Sequence, residues 1–258
     1  MELLIFGVLS VGSVAYYSRV VRGLPGNSGL DAACQRYGLP DAVFAAGLCA
    51  WFLLNIFLTS GKEMVVNLDA LVATAVFSFL LIVCLMCFLI IRSLNPVVLF
   101  GLAATPWRRV VLLALGGLAA AIPAIYFVHA VSMAGFGPDA RPQPILQFFN
   151  THTELPARLA LILTAVVVAP VSEEIIFRGY LYGVIRRYAG RWWAVVISAM
   201  LFAAIHGHLP SLAGLFVLAV ALSLIYEASG SLWTSILMHA AFNSMTLIVS
   251  LAWPEIAK

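Results

Sequence analysis

The stretch Ser-Glu-Glu-Ile-Ile-Phe-Arg at residues 172–178 decides the fold, because it places three charged side chains inside an apolar run. Only Thr164 and Pro170 interrupt the apolar residues 159–171 before it. On membrane-insertion scales, a charged residue at the centre of a spanning helix costs about 2.5–3.5 kcal/mol. Such residues usually face the interior of a helix bundle and carry function. An interfacial helix end is the alternative, and it fits poorly because apolar sequence continues on both sides.

The spacing of these charges separates the two glutamates. Glu174 and Arg178 are four residues apart, so they lie on one face of a helix with the acid on the favourable N-terminal side. Glu173 is rotated by about 100° from Glu174 and is left outside that pair. We therefore expect one glutamate to be neutralised by arginine and the other to be available for chemistry. Pro170 is expected to interrupt the helix just before Glu173.

Composition identifies the class of protein. The chain has 258 residues, of which 63% are hydrophobic and 10% charged, whereas soluble domains carry about 25% charged residues. The sequence predicts an integral, multi-pass membrane protein in contact with membrane lipids, and we expect it in the plasma membrane of a prokaryote. The net charge of +3 comes from basic residues at helix ends and does not indicate nucleic-acid binding.

Eight apolar segments are candidates for transmembrane helices, which predicts an all-α polytopic membrane protein. Connections between the last four are short, so these helices are expected to be antiparallel neighbours that form a four-helix core around the active site. We divide the chain into N-terminal helices (1–133), a Pro-rich loop outside the membrane (134–156) and a catalytic core (157–253). The eight segments are 3–17, 42–58, 68–91, 107–133, 157–188, 192–206, 211–226 and 232–253.

The distribution of basic residues predicts the orientation in the membrane. With eight spans, the loops 18–41, 92–109, 186–191 and 227–231 share one side and hold nine arginines, which places them in the cytoplasm. The 134–156 loop then lies outside, with both termini. The opposite side holds four basic residues, namely Lys62, Arg141, Arg158 and Lys258.

Further polar side chains lie inside the late helices. His206 comes at the end of the sixth segment, and His239 and Asn243 lie four apart on one face of the eighth. At 1.5 Å per residue, they reach a similar depth to Glu173. The predicted site therefore contains Glu173, Glu174, Arg178, His206, His239 and Asn243. Outside it, His129, His152 and Asp69 are expected to be structural or solvated, and Glu227 to end the seventh helix at the interface.

The order Glu-Glu-x-x-x-Arg, Phe-x-x-x-His and His-x-x-x-Asn on successive late helices resembles the CPBP family of intramembrane proteases, which contains type II CAAX prenyl proteases and bacteriocin-processing (Abi) proteins. The resemblance covers about residues 157–250. It implies a glutamate-dependent endopeptidase of eight helices. By the same resemblance, Glu173 and His206 would activate water, His239 and Asn243 would form the oxyanion site, and Glu174 and Arg178 would accompany them.

Two questions stay open at this point. We expect no cofactor, but zinc held by Glu173, His206 and His239 is the alternative. The other functional classes are a transporter with a glutamate proton relay and a non-catalytic immunity-type membrane protein. The expected partner is a protein or peptide with a membrane-associated C-terminal segment. With the predicted orientation, an exported substrate fits better than a CAAX tail presented in the cytoplasm.

Overall fold

Helices make up almost all of the chain, because a backbone that crosses lipid must satisfy its polar groups internally. The computed structural model describes residues 2–24, 29–60, 66–137, 143–152 and 154–252, and these residues form helices and no strand. The helices are α1 Glu2–Arg22, α2 Gly29–Cys34, α3 Leu39–Thr59, α4 Leu68–Ile91, α5 Pro96–Leu99, α6 Trp107–Phe136, α7 Pro144–Thr151, α8 Leu155–Ala189, α9 Arg191–Ile205, α10 Leu209–Ser229 and α11 Leu232–Ala252.

Six of these helices are long and apolar enough to span a membrane: α3, α4, α6, α8, α10 and α11. The shorter apolar helix α9 has 15 residues, and α1 has 21 residues with two arginines in its last turn. Each of the eight predicted segments is therefore helical, and the predicted all-α polytopic membrane protein is confirmed, with eight as an approximate number of spans. Large apolar side chains such as Phe57, which is 77% exposed, form the outer surface.

Helix α10 occupies the centre of the bundle. It packs against α6, α9 and α11, and most of its residues are buried. Helix α1 reaches this centre by packing on α6. The late helices predicted to be neighbours are therefore in contact, and α6 completes their packing from the N-terminal half.

Helix α8 carries the decisive stretch and contains two wider, π-helical segments, Thr164–Val168 and Ile175–Leu181. The first segment precedes Pro170, which has no N–H to donate. The Ala169 N–H bonds to the Thr164 carbonyl, five residues back instead of the four of an α-helix. The helix is therefore wider just before the proline. The predicted interruption at Pro170 thus takes the form of a π-helical turn, a feature often found at functional sites.

One end of the bundle gathers the four loops predicted to share a side. The Leu232 N–H donates to the Phe100 carbonyl at 3.0 Å, and the Thr105 hydroxyl donates to the Ser229 carbonyl at 2.6 Å. Gly101 approaches so closely that an added Cβ would lie 1.8 Å from the Gly230 carbonyl oxygen. Which side of the membrane this end faces stays a prediction. Four basic residues were assigned to the opposite side of the membrane. Three of them, Lys62, Arg141 and Lys258, lie outside the described residues.

Three segments predicted as loops contain short helices, namely α2 in 18–41, α5 in 92–109 and α7 in 134–156. Helix α7 lies within the predicted Pro-rich loop, and its Phe148 and Phe149 are buried. Helix α2 was not predicted, because it lies in a Gly/Pro-rich stretch, and its Asp31 packs against the end of α8. Part of the predicted Pro-rich loop, residues 138–142 and 153, lies outside the described residues.

Candidate active site

The predicted pair on α8 is formed. Arg178 Nη1 donates to Glu174 Oε1 at 2.8 Å, and neither side chain is exposed. Arg178 Nη2 also donates to the Ala219 carbonyl of α10 at 3.1 Å. Since an isolated charge is costly in an apolar interior, this pairing is what allows two ionic groups to lie there. Glu174 is thus held by arginine, as the spacing predicted.

His239 extends this pair onto α11. Its Nδ1 lies 2.9 Å from Glu174 Oε1, and the side chain is 3% exposed. An ionised carboxylate can only accept, so Nδ1 carries the proton. In a neutral ring, Nε2 then holds the lone pair. Glu174 therefore fixes the orientation of the ring and the position of its proton, as carboxylates do in catalytic triads.

Glu173 faces the other nitrogen of this ring. Its Oε2 lies 3.9 Å from His239 Nε2, which is too long for a direct hydrogen bond. Oε2 is buried and has no hydrogen-bond partner among the described residues, although the side chain as a whole is 22% exposed. We name Glu173, Glu174, Arg178 and His239 the central charge cluster. Hydrogen bonds join three of these side chains to one another, and the buried Oε2 of Glu173 makes none.

Phe202 connects the central charge cluster to His206. Its buried ring lies 4.5 Å from Arg178 Cζ, measured to the ring centroid, and 5.5 Å from the His239 ring. The centroid of the His206 ring lies 4.9 Å from that of Phe202. His206 Nδ1 is 2.7 Å from the Phe202 carbonyl oxygen, which leaves Nε2 as the acceptor of a neutral ring. His239, rather than His206, is thus the histidine placed against Glu173.

Asn243 lies one turn after His239 and binds the first π-helical segment. Its Nδ2 donates to the Ala165 carbonyl at 2.7 Å. An amide nitrogen carries two N–H groups, so one donor remains. The side chain is only partly buried. Asn243 therefore lies one turn from His239, as predicted, and one N–H of its amide is bound to Ala165 while the other is available.

A second group of buried charges was missed by the sequence analysis. We name Asp31, Tyr182, Arg186, Arg191 and Glu227 the terminal charge cluster. Arg186 pairs with both Asp31 and Glu227, Arg191 Nε lies 3.2 Å from Glu227 Oε2, and the Tyr182 hydroxyl donates to Glu227. Glu227 lies two residues before the end of α10, near the helix end as predicted, but it is buried in the protein at 2% exposed, and its place relative to the membrane interface stays a prediction. A carboxylate in an apolar run was the signal, as it was for Glu173.

The zinc alternative requires Glu173, His206 and His239 to converge. Within the described parts of the chain, no three His, Cys, Asp or Glu side chains are arranged to hold a metal ion. His239 Nδ1 is bonded to Glu174 and His206 Nδ1 to its own helix. The three residues therefore do not fit a zinc site in this arrangement, and metal independence stays a prediction. Cys84 and Cys87 are both exposed on α4.

Comparison with known proteins finds a family model that matches the part of the chain that carries the site. Residues 155–245 match the family model of Rce1-like type II CAAX prenyl endopeptidases. The matched segment runs from the start of α8 into α11, so it contains every residue of the predicted site. The resemblance inferred from the three motifs is thereby confirmed for this part of the chain.

Three curated relatives are similar to this chain over segments of 84 to 111 residues. An uncharacterized 24.3 kDa protein of Escherichia coli is 30% identical over 111 residues, which cover 41% of this chain and 51% of that protein. "Putative membrane peptidase YdiL" of Bacillus subtilis is 26% identical over 35% of this chain and 37% of its own length. The protein YbdI of Lactococcus lactis is 34% identical over 32% and 45%. The chain thus spans about half or less of the relatives it matches. No solved structure matches it significantly.

Proposed function

We propose that this chain, whose residues 155–245 match the type II CAAX prenyl endopeptidases, is an intramembrane endopeptidase that uses a glutamate to activate water. The single observation that carries the proposal is the central charge cluster. A fully buried Arg178–Glu174–His239 chain orients an imidazole towards Glu173 Oε2, which has no other partner among the described residues. One of the relatives is described as a membrane peptidase, which supports the same class of reaction.

The proposed chemistry begins between Glu173 and His239. Their facing atoms are 3.9 Å apart, a separation at which one water molecule can contact both. Glu173 accepts a proton from this water as the oxygen attacks the peptide carbonyl carbon. The tetrahedral intermediate then collapses, the C–N bond breaks, and the same proton passes from Glu173 to the departing nitrogen. Glu174 and Arg178 keep His239 in place throughout.

Two further residues are proposed to act on the substrate carbonyl and the water. Asn243 has one N–H that is not bound to Ala165, and an amide donor of this kind suits a developing oxyanion. His206 and His239 both contact the Phe202 ring, and we propose His206 as a second partner of the water. The family resemblance pairs Glu173 with His206, whereas in this arrangement the ring of His239 faces Glu173.

The proposed substrate is the membrane-associated C-terminal segment of an exported protein, and the proposed location is the plasma membrane of a prokaryote. Both rest on the predicted orientation, and the bacterial origin of the relatives supports the second.

The orientation can be tested by thiol labelling of intact cells in a cysteine-free background. Ala189→Cys should be protected from an impermeant reagent, and Leu209→Cys should react. These exposed positions avoid the neighbouring Gly190 and Gly207, whose positive φ angles disfavour other residues.

The proposed activity is tested by comparing new protein termini in membranes that contain the wild type or Glu173→Gln. We expect a set of cleaved C-terminal segments with the wild type that is absent with Glu173→Gln. The matched control is Glu154→Gln, which makes the same change at an exposed glutamate and should cleave normally. Identical termini with all three proteins would reject the protease in favour of the transport or immunity classes. Cleavage that requires added zinc would favour the metalloprotease.

A further inference from the structure

The first step concerns the backbone around Pro170. In an α-helix an N–H at position 170 would bond to the carbonyl of residue 166, and in a π-helix to that of residue 165. The neighbouring Ala169 N–H bonds to Thr164, five residues back, so the π register holds here. Because proline has no N–H, continuing this register by one residue assigns the missing donor to the Ala165 carbonyl, which accepts from Asn243 instead.

The second step concerns what satisfies this carbonyl. Ala165 is 8% exposed, and an unpaired carbonyl inside a membrane-spanning helix costs several kcal/mol. The Asn243 amide fills the vacant donor position at 2.7 Å. Asn243 comes from α11, so the missing helical bond is replaced by a bond between the two helices that carry Glu173 and His239.

The third step concerns the orientation that this bond imposes. A carbonyl only accepts, so the nitrogen of the Asn243 amide, and not its oxygen, must face Ala165. This fixes the amide plane and rules out the flipped rotamer. The second N–H is then held in one direction, one turn from His239 on the same face of α11.

We infer that Pro170 is a positioning residue for Asn243: by withholding an N–H, it frees the Ala165 carbonyl to orient the amide that serves the oxyanion. The inference rests on the proposed peptidase function for the role of the amide, and on the structure alone for the contact. It predicts that a residue with an N–H at position 170 competes with Asn243 for Ala165 and releases the amide, while the helix itself gains a hydrogen bond.

The experiment measures kcat and melting temperature for Pro170→Ala, Asn243→Ala and the double variant. Asn243→Ala should lower kcat by about 10²-fold, the usual effect of losing one oxyanion donor. Pro170→Ala should lower it by roughly tenfold with an unchanged or higher melting temperature, because misplacement alone costs rate. The double variant should be no slower than Asn243→Ala. Pro123→Ala, at the proline inside α6, is the matched control and should leave kcat unchanged.

Two outcomes would overturn the inference. One is a normal kcat for Pro170→Ala beside a defective Asn243→Ala, and the other is multiplicative losses in the double variant. A second measurement does not depend on activity: the side-chain amide resonance of Asn243, in protein labelled with ¹⁵N-asparagine, should shift in Pro170→Ala and stay in place in Pro123→Ala. An unshifted resonance refutes the inference. If no variant or wild type cleaves but the resonance shifts, the proposed function fails and the contact stands.

Discussion

The central and terminal charge clusters both bury carboxylates against arginines, and they differ in how completely the charges are matched. In the terminal charge cluster, Glu227 meets two arginines and a tyrosine, and Arg186 meets two carboxylates. In the central charge cluster, Glu173 Oε2 faces only a histidine nitrogen at 3.9 Å. A carboxylate that is paired with arginines holds helices together, whereas one that faces only a histidine is available to a substrate. Burial of charge in a membrane protein therefore indicates chemistry where a carboxylate has no arginine partner.

The largest expected effect tests the terminal charge cluster. Glu227→Gln leaves Arg186 and Arg191 without their shared carboxylate, and breaking a buried ion pair usually costs about 3–5 kcal/mol. We expect the free energy of unfolding in detergent micelles to fall by that amount, while turnover per folded molecule stays normal. Glu154→Gln, an exposed counterpart, should change neither. A Glu227→Gln protein that is as stable as the wild type but has lost turnover would show that the terminal charge cluster serves the reaction rather than the fold.

The next effect tests the central charge cluster. Glu173→Gln keeps the size of the side chain and removes the base, so turnover should fall by at least about 10²-fold. The melting temperature should hardly change, because Oε2 has no hydrogen bond to lose. Purified protein and a substrate identified from the new termini provide the assay. Near-normal turnover would remove Glu173 from the mechanism.

A smaller effect tests the Phe202 ring, which contacts both histidines. Phe202→Leu removes the contacts of the ring with Arg178 and His239, and a desolvated cation–π contact is worth about 2 kcal/mol. We expect a loss of stability of roughly 2 kcal/mol and a several-fold loss of turnover. Phe57→Leu, on the lipid-facing surface, is the control. Equal effects at both positions would show that the ring contributes only apolar area.

The smallest expected effect is that of chelation. The central charge cluster lacks a third converging ligand among the described residues, so exhaustive dialysis against EDTA should leave turnover unchanged. Metal content measured on the dialysed, active protein provides the check. Loss of activity that zinc restores would mean that Glu173, His206 and His239 converge in the working enzyme after all.

Local periodicity explains what could be predicted from the sequence. The bond between Glu174 and Arg178 depends on a four-residue spacing, and the common face of His239 and Asn243 depends on the same rule. Long apolar runs predicted the membrane helices for an equally local reason, because length and hydropathy decide whether a helix can span. These features need no knowledge of how distant segments pack.

The rest depends on contacts between distant residues. The π-helical turn before Pro170 is stabilised by Asn243, 78 residues away from Ala165. Helix α2 forms in a Gly/Pro-rich stretch because Asp31 pairs with Arg186. Tertiary packing also decides which of the two histidine rings faces Glu173. It is that of His239 rather than His206. Glu227 alone could have been recognised, since it is a carboxylate in an apolar run.

The bond between Asp31 and Arg186 has a consequence for how the protein is made. Its two residues are 155 positions apart, and ribosomes add about 5–20 residues per second. Asp31 therefore waits roughly 8–30 s for its partner after it is synthesised. During that interval the carboxylate lacks this partner, so the bond cannot fix α2 to α8. A chain released before residue 186 never acquires this bond, so a helix of the C-terminal half decides whether α2 is held.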